Sequence, residues 1–135
     1  MKRLKKTLIQ KMINLAKESS KLAYSPYSKY KVGASLITKN GKIFTGCNIE
    51  NASFGATICA ERVAIFKAIS EGERDFDIIA IYVEDDKNIP SPCGICRQVM
   101  MEFSPDLTLI LSNGNDYKIY KLKELLPYPF TKNFL

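Results

Sequence analysis

The chain contains no histidine. That absence excludes serine–histidine–aspartate and cysteine–histidine catalysis, and with them every metal site that depends on imidazole. Tryptophan is absent too, so aromatic stacking falls to seven tyrosines and seven phenylalanines. No apolar run approaches the roughly 20 residues a membrane-spanning helix needs, so no membrane partner is expected. The basic start Met1-Lys-Arg-Leu-Lys-Lys is not followed by the apolar stretch and small-residue cleavage site of a secretory leader. The expected compartment is the cytoplasm, where thiols stay reduced. There, the four cysteines at positions 47, 59, 93 and 96 point to metal or catalysis before disulfides.

What is present is an ordinary globular mixture of 135 residues, 46% apolar and 25% charged, expected to form one domain over residues 1–135. The net charge of +6 is unevenly placed: residues 1–31 carry nine Lys or Arg against Glu18 alone. This excess reads as a solvated helix face. No base-reading motif accompanies it, and a nucleic-acid partner is not expected.

Leu4, Leu8, Ile9, Met12, Ile13, Leu15 and Ala16 recur at helical steps and predict an amphipathic helix that Ser25-Pro26 ends. Val32–Thr38 and Lys42–Cys47 read as strands around the turn Asn40-Gly41. A polar loop follows from Asn48 to Thr57. Then come a helix over Cys59–Ser70, a buried strand over Ile78–Val83, a loop over Asp85–Pro92, and a helix over Cys93–Phe103. A strand at Leu107–Leu111, a turn at Asn113-Gly114, a short strand near Tyr117–Tyr120 and a short helix near Lys123–Leu126 complete the order. Strands interleaved with helices predict an α/β domain: a three-layer α-β-α sandwich with a mixed sheet and helices on both faces.

Two segments carry chemistry, Cys59-Ala60-Glu61 and Pro92-Cys93-Gly94-Ile95-Cys96. Cys93 and Cys96 lie one helical turn apart, and both segments open predicted helices. A helix start offers unpaired N–H groups and partial positive charge, which favours thiolate. Two such starts facing each other gather three thiolates around one soft or borderline cation, with zinc the expected one. Three protein ligands leave the fourth position of a catalytic zinc site open to water, whereas four close a structural one. Cys47 therefore has two readings, a fourth thiolate that closes the site or a small buried hydrophobe. Glu61 lies in the first helical turn, two residues after Cys59. Its carboxylate either complements the helix dipole or shuttles protons beside an open zinc site. The full pattern, C-A-E and then P-C-x-x-C after Cys59 and 33 intervening residues, is the three-cysteine form of the zinc-deaminase motif.

With that pattern the chain resembles the small, homotetrameric, zinc-dependent cytidine deaminases. The likeness runs from Tyr24-Ser-Pro-Tyr-Ser-Lys-Tyr-Lys-Val-Gly-Ala34 through Gly46-Cys-Asn-Ile-Glu-Asn51 and Cys59-Ala-Glu-Arg62 to Ser91-Pro-Cys-Gly-Ile-Cys-Arg-Gln98 and Glu124-Leu-Leu-Pro127. The resemblance implies a five-stranded sheet flanked by helices. It implies one zinc ion per subunit on Cys59, Cys93 and Cys96, with Glu61 as general acid and base and Arg62 hydrogen-bonding the ligand sulfurs. It also implies ribose contacts from Asn48 and Glu50, substrate contacts from Ala60 and Tyr30, and a Phe130 that reaches into a neighbouring subunit's site. Tyr30 departs from the family here, since phenylalanine is usual at that position. The implied reaction is hydrolytic deamination of cytidine and deoxycytidine, with release of ammonia, in pyrimidine salvage. Alternatives are a sibling deaminase acting on another aminated nucleoside, deamination of cytosine in RNA, and a structural zinc module closed by all four cysteines.

Overall fold

The Asn40-Gly41 turn forms as its sequence predicts, with Gly41 at φ 90°. It joins β1 (Val32–Thr38) to β2 (Ile43–Cys47) in an antiparallel pair. The structure, a computed structural model, describes residues 4–84 and 87–135. Met1, Lys2 and Arg3 of the basic start, and Asp85 and Asp86 of the expected 85–92 loop, lie outside the described residues. On its other edge β1 pairs antiparallel with β3 (Phe76–Val83). β3 then pairs parallel with β4 (Thr108–Ser112), and β4 pairs antiparallel with β5 (Tyr117–Lys121). The order β2-β1-β3-β4-β5 is a five-stranded mixed sheet.

Helices cover both faces. On one, α1 (Lys6–Ser20) buries Ile9, Met12, Ile13 and Ala16 against Ile78, Ala80 and Tyr82 of β3 and Ile110 of β4. On the other, α2 (Ala60–Ser70) and α3 (Gly94–Phe103) close over Ala34, Leu36, Ile79, Ile81, Leu109 and Leu111, and Leu122 of α4 (Leu122–Leu125) joins the same core. β3 therefore sends alternate residues into two different cores, which is why its sequence is almost continuously apolar. A register shift between Ile37 and Thr38 brings Phe76 into the α2–α3 core rather than the α1 core.

The first helix stops at Ser20, six residues before the proline expected to end it. The cause is tertiary. The Tyr24 N–H donates to Asn48 O (3.0 Å), and Glu50 N–H donates to Tyr24 O (2.8 Å), which draws this segment out of the helix onto the polar loop. That loop also holds a 3-10 turn at Phe54–Ala56. Cys59 and Cys93, expected as the first helical residues, are instead the extended residues that precede α2 and α3. The lysines of α1 behave as a solvated face: Lys5, Lys6, Lys11 and Lys21 are exposed, while Lys17 approaches Glu84 at 3.8 Å. Among the described residues no helix is long and apolar enough to cross a membrane.

Two glycines let the helices rest directly on strand backbone. A Cβ on Gly33 would lie 1.8 Å from Ala16 O of α1, and one on Gly46 would lie 2.5 Å from Ala60 O of α2. Both sit at the end of the sheet where α2 and α3 begin. Gly33→Ala is expected to lower unfolding stability by about 3 kcal/mol, the upper range for overpacking. Gly55→Ala meets nothing within 4 Å and is expected to change stability by less than about 0.5 kcal/mol. Urea denaturation of both variants checks this contrast.

Candidate active site

Cys59 and Cys93 hold equivalent places, each the N-cap of a helix in extended conformation (φ −77°, ψ 154° and φ −66°, ψ 162°), and neither side chain caps its own helix. Their thiols turn towards each other instead. Cys59 Sγ lies 3.7 Å from Cys93 Sγ, and Cys93 Sγ lies 3.4 Å from Cys96 Sγ one turn into α3. All three sulfurs fall within 4.8 Å of one another. Cys47 is not among them. It ends β2, half-buried, and burial pushes its thiol pKa up. A site closed by four cysteines therefore does not form.

The cluster is electrostatically prepared. Hydrogen bonds from Cys96, Arg62 and Cys93 outweigh burial and bring the Cys59 thiol down to about 5 in the metal-free chain. Cys96, which donates to Cys59 and is itself buried, is pushed the other way. Arg62 Nη2 is 3.5 Å from Cys59 Sγ. Glu61, in the first turn of α2, is 4% exposed. Its burial, reinforced by the neighbouring Cys59 charge, raises its carboxyl to about 7. Such a group takes and returns protons near neutrality.

Part of this cluster lines a cavity of about 380 Å³. Cys59, Ala60, Glu61 and Cys93 line it together with Tyr30, Val32, Asn48 and Glu50. Asn48 is buried and braces two other lining residues, its Nδ2 donating to Tyr30 O (2.7 Å) and its Oδ1 accepting from Val32 N (2.9 Å). Glu50 Oε1 accepts from the N–H groups of Tyr27 (2.9 Å) and Ser28 (3.1 Å), and its Oε2 accepts from Ser28 Oγ.

A family model, described as the cytidine and deoxycytidylate deaminase zinc-binding region, matches residues 6–111. The chain belongs to the cytidine and deoxycytidylate deaminase family. Cytidine deaminase of Halalkalibacterium halodurans is 48% identical over 90% of this chain and 93% of that protein. A blasticidin-S deaminase of Bacillus cereus is 35% identical over 90% of this chain and 91% of its own. The crystal structure of cytidine deaminase from Burkholderia pseudomallei superposes with a TM-score of 0.86 at 45% identity, covering 90% of this chain and 98% of that one. The donor set fits the family's metal: soft sulfur ligands, one of them already stabilised as thiolate, suit zinc.

In this family member the structure brings Tyr30, Asn48, Glu50, Cys59, Ala60, Glu61 and Cys93 onto one cavity, with Cys96 and Arg62 against its sulfurs. Phe130 is not part of that wall. It lies over α3, 59% exposed, with its carbonyl accepting from Gln98 Nε2 (2.8 Å) and its ring stacked on Phe134 at 5.7 Å. Two residues escaped the sequence reading. Ser28 contacts the Glu50 carboxylate, and Arg97 staples the Cys93 loop. Arg97 donates to Pro92 O (2.8 Å), Ser91 Oγ (2.6 Å) and Leu125 O (2.6 Å). The one hint for Arg97 was its place, four residues after Cys93 and directly after Cys96.

In metal-stripped protein, alkylation by iodoacetamide is expected to modify Cys59 with a midpoint near pH 5, since only the thiolate reacts. Arg62→Gln removes one of the donors that lower this pKa and is expected to move the midpoint upward. Mass mapping of alkylated peptides against pH reads both.

Proposed function

We propose that this chain deaminates cytidine and deoxycytidine hydrolytically, yielding uridine or deoxyuridine and ammonia. The observation that carries the reading is the meeting of three cysteine sulfurs with the buried Glu61 beside a cavity that Asn48 and Glu50 also line. The cavity volume of about 380 Å³ lies within the usual range for small-molecule sites. Cys59, Cys93 and Cys96 would hold one zinc ion per subunit. When bound, zinc supplies a Lewis acid that makes water acidic enough to react near neutral pH.

Glu61 does the proton work. It takes a proton from the attacking water and gives it to N3 of the ring, which makes C4 more electrophilic. The water oxygen adds to C4. Glu61 then carries the second proton to the exocyclic amino group, and the C4–N bond breaks with loss of ammonia. Arg62 offsets the negative charge that three thiolates leave around a divalent ion, donating to Cys59 at 3.5 Å. The remaining hydrogen-bonding capacity of Asn48 and Glu50 serves the sugar hydroxyls, and Ala60 and Tyr30 flank the pyrimidine.

Phe130 belongs in this reading to a partner's site. Supporting it are its exposure and its place outside the cavity of its own chain. Phe54, Ile95 and Tyr128 are exposed apolar side chains too, as suits a homotetramer with shared sites. Residues 1–135 act as one domain, since the described strands join a single sheet closed by both helical layers. The four free thiols suit the reducing cytoplasm, and the reaction suits pyrimidine salvage. A second reading, an aminated nucleoside antibiotic as substrate, draws support from the 35% identity to the blasticidin-S deaminase. Rates with cytidine and blasticidin S measured side by side separate the two.

Glu61→Gln is expected to retain zinc and lose at least about 10³-fold in kcat, because general acid–base catalysis by a positioned carboxyl is worth about 10²–10⁴-fold and here serves two transfers. The fall in cytidine absorbance, with zinc content measured in parallel, tests it, and chelation of the wild-type protein should abolish the same signal. Mixing tests the shared site. Phe130→Ala and Glu61→Gln proteins, each weak alone, should regain activity when unfolded and refolded together, since a hybrid assembly contains sites with both groups intact.

A further inference from the structure

Glu50 is surrounded more completely than a carboxylate waiting only for substrate. Its Oε1 accepts from the N–H groups of Tyr27 (2.9 Å) and Ser28 (3.1 Å), and its Oε2 accepts from Ser28 Oγ. A carboxylate offers about four acceptor directions. Three are taken by the segment that wraps around it, which leaves one, on Oε2.

Ser28 faces two ways. While its hydroxyl donates to Glu50, the same oxygen accepts from Tyr30 N–H at 3.0 Å. Between them Lys29 sits in the left-handed region, φ 61°, a conformation that costs a non-glycine residue and persists only where its surroundings impose it. Here they do so from three sides. Lys29 N–H donates to Ser25 O (3.0 Å), Ser28 is fixed on Glu50, and Tyr30 O is fixed by Asn48 Nδ2 (2.7 Å). The ring proposed to flank the pyrimidine and the carboxylate proposed to read the sugar are thus joined through one hydroxyl.

We propose that Ser28 is a positioning residue that locks the Glu50 carboxylate and the Tyr30 backbone into one unit, leaving Glu50 a single acceptor direction for one hydroxyl of the nucleoside sugar. The inference rests on the reading of Glu50 as the sugar contact. Ser28 itself touches no reacting atom, so its loss acts on binding rather than on proton transfer. Hydrogen bonds to charged groups are among the stronger ones in proteins, and removing this one frees the carboxylate to rotate.

The test is steady-state kinetics on zinc-loaded Ser28→Ala, Ser28→Thr, Glu50→Ala and the double variant Ser28→Ala with Glu50→Ala. Ser28→Ala is expected to raise KM for cytidine about tenfold while kcat changes by less than about threefold, the pattern of lost ground-state binding. Ser28→Thr keeps the hydroxyl and should stay near wild type. In the Glu50→Ala background, removing Ser28 should add no further rise in KM, because it has no carboxylate left to hold. A raised KM in Glu50→Ala with an unchanged KM in Ser28→Ala overturns the role of Ser28 alone. The same fold-rise from Ser28→Ala in both backgrounds overturns it too. An unchanged KM in Glu50→Ala overturns the sugar reading and this inference together. Ser28 is exposed and fills no core position, so thermal melts should be close to wild type. A lowered Tm with no change in KM marks a merely structural residue and likewise counts against the proposal.

Discussion

Three thiols can share one cation only if two helices, separated in sequence by a strand and a loop, begin at the same end of the sheet with their first residues turned towards each other. Most of the architecture serves that requirement. β3 carries the chain from the end of α2 back to the end of the sheet where α3 starts, and its two apolar faces hold it between both helical layers. Gly46 lets the start of α2 lie directly on β2, with Ala60 and Ala64 against strand backbone. Arg97 then ties the loop before Cys93 to the end of α4.

Charge is the second constraint. Three thiolates crowded within 4.8 Å repel one another, and a buried carboxyl beside them makes the problem worse. The fold meets this locally. Helix starts direct partial positive charge at Cys59 and Cys93, Arg62 donates to Cys59, and in the metal-free chain Cys96 keeps its proton. Burial holds the Glu61 carboxyl near neutrality rather than in the usual acidic range. The same desolvation that makes the site costly to assemble is what brings the Glu61 carboxyl into the range where a group exchanges protons near neutral pH.

The part of the cavity lined by Asn48 and Glu50 is organised differently. The sulfur side is built on helix starts and a rigid core, whereas the part lined by Asn48 and Glu50 is two polar segments, residues 24–32 and 48–58, laced to each other by backbone and side-chain hydrogen bonds. Asn48 and Glu50 spend much of their bonding capacity on that lacing. The wall keeps its shape without an apolar core of its own.

Much of this was legible beforehand. The periodicity of α1, the Asn40-Gly41 turn and the two-sided burial of β3 are local or near-local properties, and each appears where residue spacing put it. The candidate ligands and Glu61 were legible because two short segments, Cys59 to Glu61 and Cys93 to Cys96, each hold their spacing within about one helical turn and together match the zinc-deaminase pattern. The early end of α1 was not, because it depends on Tyr24 pairing with a loop more than twenty residues away. Ser28 and Arg97 were missed for the same reason. Each is an ordinary polar residue until the fold brings a carboxylate, or a carbonyl from another element, into its reach. Composition and spacing alone thus determined which chemistry was available: no imidazole, three thiols and one carboxyl at helix starts. Tertiary structure alone decided that these meet on a single cavity, that Cys47 stays out of it, and which neighbours hold Glu50 and Cys93 in place. Those outcomes depend on contacts between segments far apart in the chain, which no local pattern encodes.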